Sequence, residues 1–108
     1  MSTNAALVFY GVRFEIDENE IEACERRSDS RIAVARRHGL AHFFENMDEG
    51  RRFVLFVGAR LGWLGPENSS EVQIGSIELS DLIKKTDASL AEAGFQGPSL
   101  YMQWLPGS

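Results

Sequence analysis

Two histidines, His38 and His42, have the four-residue spacing that could align two metal ligands on one face of a helix. Glu45 and Asp48 follow them and could supply oxygen ligands. Gly39 lies between the histidines, however, and glycine at such a position is typical of a helix end. His38 is then expected near a helix C-terminus and His42 on a strand. No further residues in the sequence complete a set of three protein ligands, so we expect neither a metal site nor a cofactor.

The remaining reactive or charged groups each have a simpler structural use. The single cysteine, Cys24, cannot form an internal disulfide, and it lies on an apolar helical stripe between Ile21 and Ser28, which favours a small buried residue over a nucleophile. The acidic run from Glu15 to Glu22 suits the start of a helix better than a cation site. The arginines between 26 and 37 have acidic residues three to five positions away, which favours pairs within the helix. We therefore expect a protein that is not an enzyme.

One irregular segment is the best sequence candidate for a ligand site. Between Gly58 and Ser70 the chain reads GARLGWLGPENSS, in which glycines allow the backbone to approach a ligand and Trp63 offers a large flat face with one donor. Its apolar residues could instead cap one end of the core. If a small molecule binds under this segment, whether for binding alone or for a minor enzymatic activity, the residues expected to contact it are Arg60, Trp63, Glu67 and Asn68. His42 is a further candidate for a polar contact there.

Patterning predicts the elements that would position these residues. An apolar run begins at Ala5 and alternates with a period of two through Ile16, which indicates a strand. The next segment is helical in pattern, although Ser28 to Ser30 offers a second N-cap and hence a kink or two shorter helices. The expected order is a strand from Ala5 to Ile16, a helix over Glu18 to His38, strands over Leu40 to Met47 and Arg51 to Ala59 joined by a turn at Asp48 to Gly50, a short strand over Glu71 to Ile74, a helix from Ser80 to Ala93 and a strand over Ser99 to Leu105.

That order defines the predicted fold class. Strand, helix, strand, strand, helix, strand is the ferredoxin-like βαββαβ order, here with an irregular insertion before the second helix. We expect an α+β protein whose antiparallel sheet carries both helices on one face, with the first and third strands in the middle. The 108 residues are expected to form a single domain, with flexible tails at 1–4 and 106–108.

The face of the sheet away from the helices is expected to be apolar. Such a patch usually marks a contact surface. The sequence favours a homodimer through this open face. The alternatives are a cover formed by the chain's own insertion, another protein partner, or a ligand groove. Phe56→Glu should then disperse the dimer without unfolding the chain. The residues expected at this interface are Leu7, Phe9, Val54, Phe56 and Tyr101.

The two middle strands resemble those of RNA-recognition domains, which share this topology and stack bases on aromatic rings. The resemblance lies in LVFYGV and GRRFVLFV, and it implies binding of single-stranded RNA on the open face. Phe53 and Phe56 are three residues apart and point to opposite sides, whereas the family places two aromatics on one side. The family's internal glycine is absent and the net charge is −5. Nucleic acid is therefore disfavoured as a partner.

Composition sets the remaining expectations. With 44% hydrophobic and 25% charged residues, the chain has the composition of an ordinary globular protein. We find no basic, apolar leader and no apolar run of membrane-spanning length, which together with a single cysteine predicts a cytoplasmic protein with no membrane contact. The leading function is a small non-enzymatic module that binds itself or another protein, and the alternative is the small-molecule site at residues 58–70.

Overall fold

The computed structural model describes residues 5–47 and 52–105. It is an α+β structure with one open, four-stranded antiparallel sheet and three helices. The elements are β1 (Ala5–Ile16), α1 (Ile21–Glu25), α2 (Ser30–Arg37), β2 (Ala41–Asn46), β3 (Phe53–Leu64), α3 (Ser76–Ala93) and β4 (Ser99–Leu105), with a short 3-10 turn at Glu18–Glu20 before α1. The strands follow the spatial order β2-β3-β1-β4.

Some sequence predictions fall on the remaining positions. The tails predicted at 1–4 and 106–108 and the turn predicted at Asp48 to Gly50 lie outside the described residues. Within residues 5–47 and 52–105, no helix has both the length and the apolar character needed to cross a membrane.

The two central strands, β1 and β3, are buried on both of their faces. On the helix side, a cluster forms from alternate residues of these strands together with residues of all three helices, including Cys24, Ile32 and Leu90. The opposite side of the sheet holds a second cluster. The side chains of a strand alternate between faces, so two apolar faces produce the nearly continuous apolar runs that were read from the sequence.

A pair of glycines brings the two central strands unusually close together. Gly11 of β1 lies directly opposite Gly58 of β3 in the register. A Cβ atom placed on Gly11 would overlap the carbonyl oxygen of Val57, and one on Gly58 would overlap the carbonyl oxygen of Tyr10. Only glycine fits where two backbones approach this closely. The pair therefore fixes how the strands that carry both clusters meet.

The helical segment predicted over Glu18 to His38 is divided into two helices, α1 and α2. This confirms the possibility of two shorter helices that the second N-cap had left open. Helix α1 ends before Arg27, which adopts a left-handed conformation with φ of 59°. Asp29 then caps α2, because its carboxylate accepts a hydrogen bond from the backbone N–H of Arg31 at 2.9 Å. The Arg31 guanidinium also donates to both Asp29 and Glu20 at 2.9 Å. The hydrogen bonds from Arg31 to Asp29 lower the pKa of the Asp29 carboxyl, although burial opposes the shift.

Helix α3 begins earlier than its sequence predicted. Its first residue is Ser76 and its N-cap is Gly75, so the predicted start of this helix at Ser80 is wrong. The Tyr10 hydroxyl donates a 2.6 Å hydrogen bond to the Asp87 carboxylate and so ties α3 to β1. Burial, then this hydrogen bond and the adjacent charge, raise the pKa of Tyr10 to about 12.

Strand β3 is longer than predicted, and the extra strand is absent from its predicted position. The ladder between β3 and β1 continues beyond Ala59 to Leu64 through a register shift near Leu61, so the glycines of this segment do not end the strand. A bulge absorbs one extra residue while pairing continues. Residues 71–74 are not a strand, and an isolated bridge joins Leu64 to Ser69 instead.

Candidate functional site

The sheet face opposite the helices is not the open surface that its alternation predicted. Leu7, Phe9, Val54 and Phe56 have no exposed area within the single chain, while Tyr101 is partly exposed. The four buried side chains form the second cluster together with Met47 and Leu105. The partly buried rings of Phe43, Trp63 and Tyr101 pack against this cluster. The Phe56 ring lies 5.3 Å from that of Phe9 and 5.5 Å from that of Tyr101. An interface through this face stays a prediction, and it would require the buried side chains to become accessible.

The exposed apolar surface lies instead on the edge strand β4. Leu100 is 58% exposed, Met102 69% and Trp104 54%. These three alternate residues share one face of β4, and we call them the β4 stripe. They lie opposite Tyr10, Val8 and Ala6 of β1, respectively, and therefore on the helix side of the sheet. The only other large hydrophobic side chain so exposed in the described ranges is Ile77 of α3.

Helix placement explains why this stripe is uncovered. Helix α3 packs on β1 and β3, and α2 packs on β2 and β3. Either helix packs less extensively on β4, the outermost strand at the other edge, than on these strands. Edge strands in proteins usually carry a charge or a proline that discourages pairing with another chain. None of the seven residues of β4, SLYMQWL, is charged or is proline.

The four residues proposed for a ligand site separate into two pairs. Arg60 and Trp63 lie on β3 rather than in a loop, and both contact the Phe43 ring. The Arg60 guanidinium lies 5.9 Å from the ring centre, and the Trp63 ring packs edge-on at 5.3 Å. Glu67 and Asn68 lie beyond the end of β3 and are exposed. Of the four, only Arg60 lines a concave site, and Trp63, Glu67 and Asn68 are not among its lining residues.

That concave site is a cavity of about 330 Å³ at the edge strand β2. Two residues with cationic side chains line it, Arg27 from the corner between α1 and α2 and Arg60 from β3, and His42 of β2 lines it as well. The remaining lining residues are Cys24, Glu25, Phe43 and Phe44. Burial lowers the pKa of His42, and the positive charges of Arg36, Arg27 and Arg60 lower it further. His42 is therefore neutral at pH 7 in a positively charged environment. We call this site the β2 cavity.

The other candidates for chemistry do not assemble. His38 is the C-cap of α2, with its Nδ1 3.8 Å from the Glu92 carboxylate, while His42 lies on β2. Cys24 is buried, and burial raises the pKa of its thiol to about 11, so it is protonated at neutral pH. In the described part of the chain, no three side chains from His, Cys, Asp or Glu come together as a metal ion requires.

Of the residues that line the β2 cavity, sequence reasoning named Arg60 and His42 as candidates but missed Arg27, because nothing in the sequence placed the end of α1 beside β2. The one available signal was the second cap at Ser28 to Ser30, which ends α1 at that corner. Comparison with protein families, with curated proteins and with solved structures finds no match to this chain.

Proposed function

We propose that this chain is a ferredoxin-like protein-interaction module that forms a homodimer by antiparallel pairing of β4 with β4 of a second copy. The class rests on the order of the elements, with the first helix divided in two, and on the strand order β2-β3-β1-β4. The single observation that carries the dimer is the uncharged edge strand with three large side chains exposed on one face. This surface replaces the buried face as the site of association.

The sequence of β4 is complementary to itself in one register. Met102 is the middle residue of the seven, so a twofold axis through Met102 pairs the whole strand with its copy. Leu100 then lies opposite Trp104 of the second copy, and Met102 lies opposite its own equivalent. All of these side chains fall on the same face of the combined sheet. Because β4 carries no charge, this register brings no like charges together although each chain has a net charge of −5.

The area of the stripe predicts a reversible dimer. Large side chains of this kind present roughly 150–250 Å² when fully exposed, so the three exposed fractions leave roughly 300–450 Å² per chain. A standard stable interface buries about 800 Å² per partner. The backbone hydrogen bonds of the paired strands supplement the apolar area, but the interface stays small, and dissociation is expected in or above the micromolar range.

Sedimentation velocity over a range of micromolar to millimolar concentrations tests the proposal. The mass should rise from 12.1 kDa toward about twice that value. Met102→Lys should raise the dissociation constant by roughly 30- to 700-fold, because two ammonium groups face each other across the axis and the apolar contact of both methionines is lost, about 2–4 kcal/mol in total. Ile77→Lys is the matched control, since it adds the same charge at another exposed apolar residue, 79% accessible, on α3 rather than on β4.

A charge-swap experiment tests the register. Met102→Glu alone should also disperse the dimer, but an equal mixture of the Met102→Lys and Met102→Glu chains should recover it as a heterodimer. Recovery requires residue 102 to face residue 102. A wild-type chain that stays at 12.1 kDa throughout the concentration range would refute the dimer, and dispersal by both variants without recovery in the mixture would refute this register.

A further inference from the structure

We infer that the β2 cavity binds a small organic oxyanion, a phosphate, sulfate or carboxylate group attached to a flat apolar body. The inference does not depend on the proposed dimer, because β2 and β4 lie at opposite edges of the sheet. It rests on the positive side chains around the cavity, on its aromatic wall and on the volume of about 330 Å³, which suits a small molecule.

The charges around the cavity favour an anion. Arg27 and Arg60 line it and Arg36 lies close enough to influence His42, whereas Glu25 is the one carboxylate in the lining. The other helix arginines have acidic partners: Arg26 pairs with Glu22, and Arg31 with Asp29 and Glu20. Among the described residues, Arg27, Arg36 and Arg60 form no ion pair with a carboxylate. The balance is positive in a chain that is acidic overall, and guanidinium groups match the geometry of an oxyanion.

The backbone at Arg27 is a second observation. Arg27 occupies the left-handed position after α1, with φ of 59°, and it is the only residue other than glycine with a positive φ in the described ranges. Glycine or asparagine adopts this conformation at lower cost. An arginine in this conformation lines the cavity at some expense in stability, and such strained backbone positions cluster at binding sites.

The aromatic wall suggests the rest of the ligand. Arg60 lies over Phe43 at 5.9 Å, so an anionic group bound by Arg60 would carry its body close to the Phe43 ring. A flat apolar group could pack on the part of that ring left accessible by Arg60 and Trp63, since Phe43 is only partly buried. One aromatic pair contributes about 0.5–1.5 kcal/mol, which corresponds to roughly two- to tenfold in affinity. An aryl oxyanion should therefore bind more tightly than an alkyl one.

The chain has only two histidines, which allows a direct test by NMR. The pKa values of His38 and His42 are measured from their ring proton shifts with and without sulfate, which keeps its charge between pH 5 and 9, at ionic strength matched with chloride. A bound anion offsets the field of the arginines, so sulfate should raise the pKa of His42 saturably. His38, beside Glu92 at the end of α2, is the internal control and should respond to sulfate as it does to chloride.

Variants and ligands then locate the site. Arg27→Met and Arg60→Met should each weaken sulfate binding at least about tenfold, the scale of one charge-assisted hydrogen bond. Arg37→Met, which removes an exposed charge one residue after Arg36, should change it less than twofold. Phenyl sulfate should bind roughly two- to tenfold more tightly than methyl sulfate. Equal effects of the three arginine variants, or sulfate and chloride acting alike on both histidines, would overturn the site. Equal affinity for the two sulfate esters would overturn the assignment of the apolar body.

Discussion

Replacing Phe56 with glutamate is expected to unfold the chain rather than to separate two copies of it. The Phe56 side chain has no exposed area and packs against two aromatic rings, Phe9 at 5.3 Å and Tyr101 at 5.5 Å. An accessible interface residue would tolerate glutamate in the monomer. A residue inside the second cluster cannot, because the carboxylate would have to ionise among Leu7, Val54 and the rings or force the face open.

The size of the effect follows from this burial. Truncating a buried phenylalanine to alanine costs about 3–5 kcal/mol. Phe56→Leu keeps most of the apolar volume and loses the two ring pairs, at about 1–3 kcal/mol. Phe56→Glu adds a desolvation cost of several kcal/mol to the loss of the ring. Since the free energy of unfolding of a domain is about 5–15 kcal/mol, the glutamate variant should be largely unfolded or close to it.

Urea denaturation followed by circular dichroism and by tryptophan fluorescence measures the series. The expected order of stability is wild type, then Phe56→Leu, Phe56→Ala and Phe56→Glu. Ile77→Glu, the same charge on an exposed side chain of α3, should stay within about 0.5 kcal/mol of wild type. A folded Phe56→Glu chain with a midpoint near that of Ile77→Glu would show that Phe56 is accessible, and would return the face of Leu7 and Phe9 to consideration as an interface.

Two further stability effects follow from contacts in the fold. Gly11→Ala should lower the free energy of unfolding by about 1–3 kcal/mol, because the new methyl group meets the backbone of β3 rather than a flexible side chain; a urea midpoint unchanged from wild type would contradict the close approach of the strands. The hydrogen bonds from Arg31 lower the pKa of Asp29, so its carboxylate contributes stability that is present above the unfolded value near 3.9 and is lost as the pH falls through the lower, folded value. Asp29→Asn keeps a good N-cap but removes the charge, so its stability deficit should be larger at pH 7 than at pH 2.5, and equal deficits at the two pH values would refute the linkage.

The sequence predicted the central sheet well because apolar residues there alternate with a period of two. The alternation from Val8 to Ile16 and from Phe53 to Val57 places alternate residues correctly on opposite faces. It could not show that both faces are covered, since the same pattern fits an exposed patch and a second core. The stretch from Gly58 to Leu64 was misjudged for a local reason, because glycine usually breaks a pattern and here its small size lets two strands approach.

The two candidate surfaces differ in how far the sequence reveals them. The alternation of Leu100, Met102 and Trp104 is plain in the sequence, but their exposure depends on how far the helices extend across the sheet, which is a property of packing. The β2 cavity forms only where the corner at Arg27 lies beside the strand that carries His42. These residues are brought together by the break between α1 and α2, and local propensity indicates such a break without fixing its direction.

The close pairing of β1 with β3 also determines how this chain folds and opens. Both clusters are built on these two strands, so neither can persist once the ladder between them separates. Residues paired in this ladder lie about 50 positions apart near its centre, and folding must close that span before either cluster gains its stability. Amide hydrogen exchange should therefore be slowest in β1 and β3 and follow global unfolding, while the edge strands β2 and β4 exchange through smaller, local openings. The surfaces proposed for binding would then belong to the parts of the chain that open most readily.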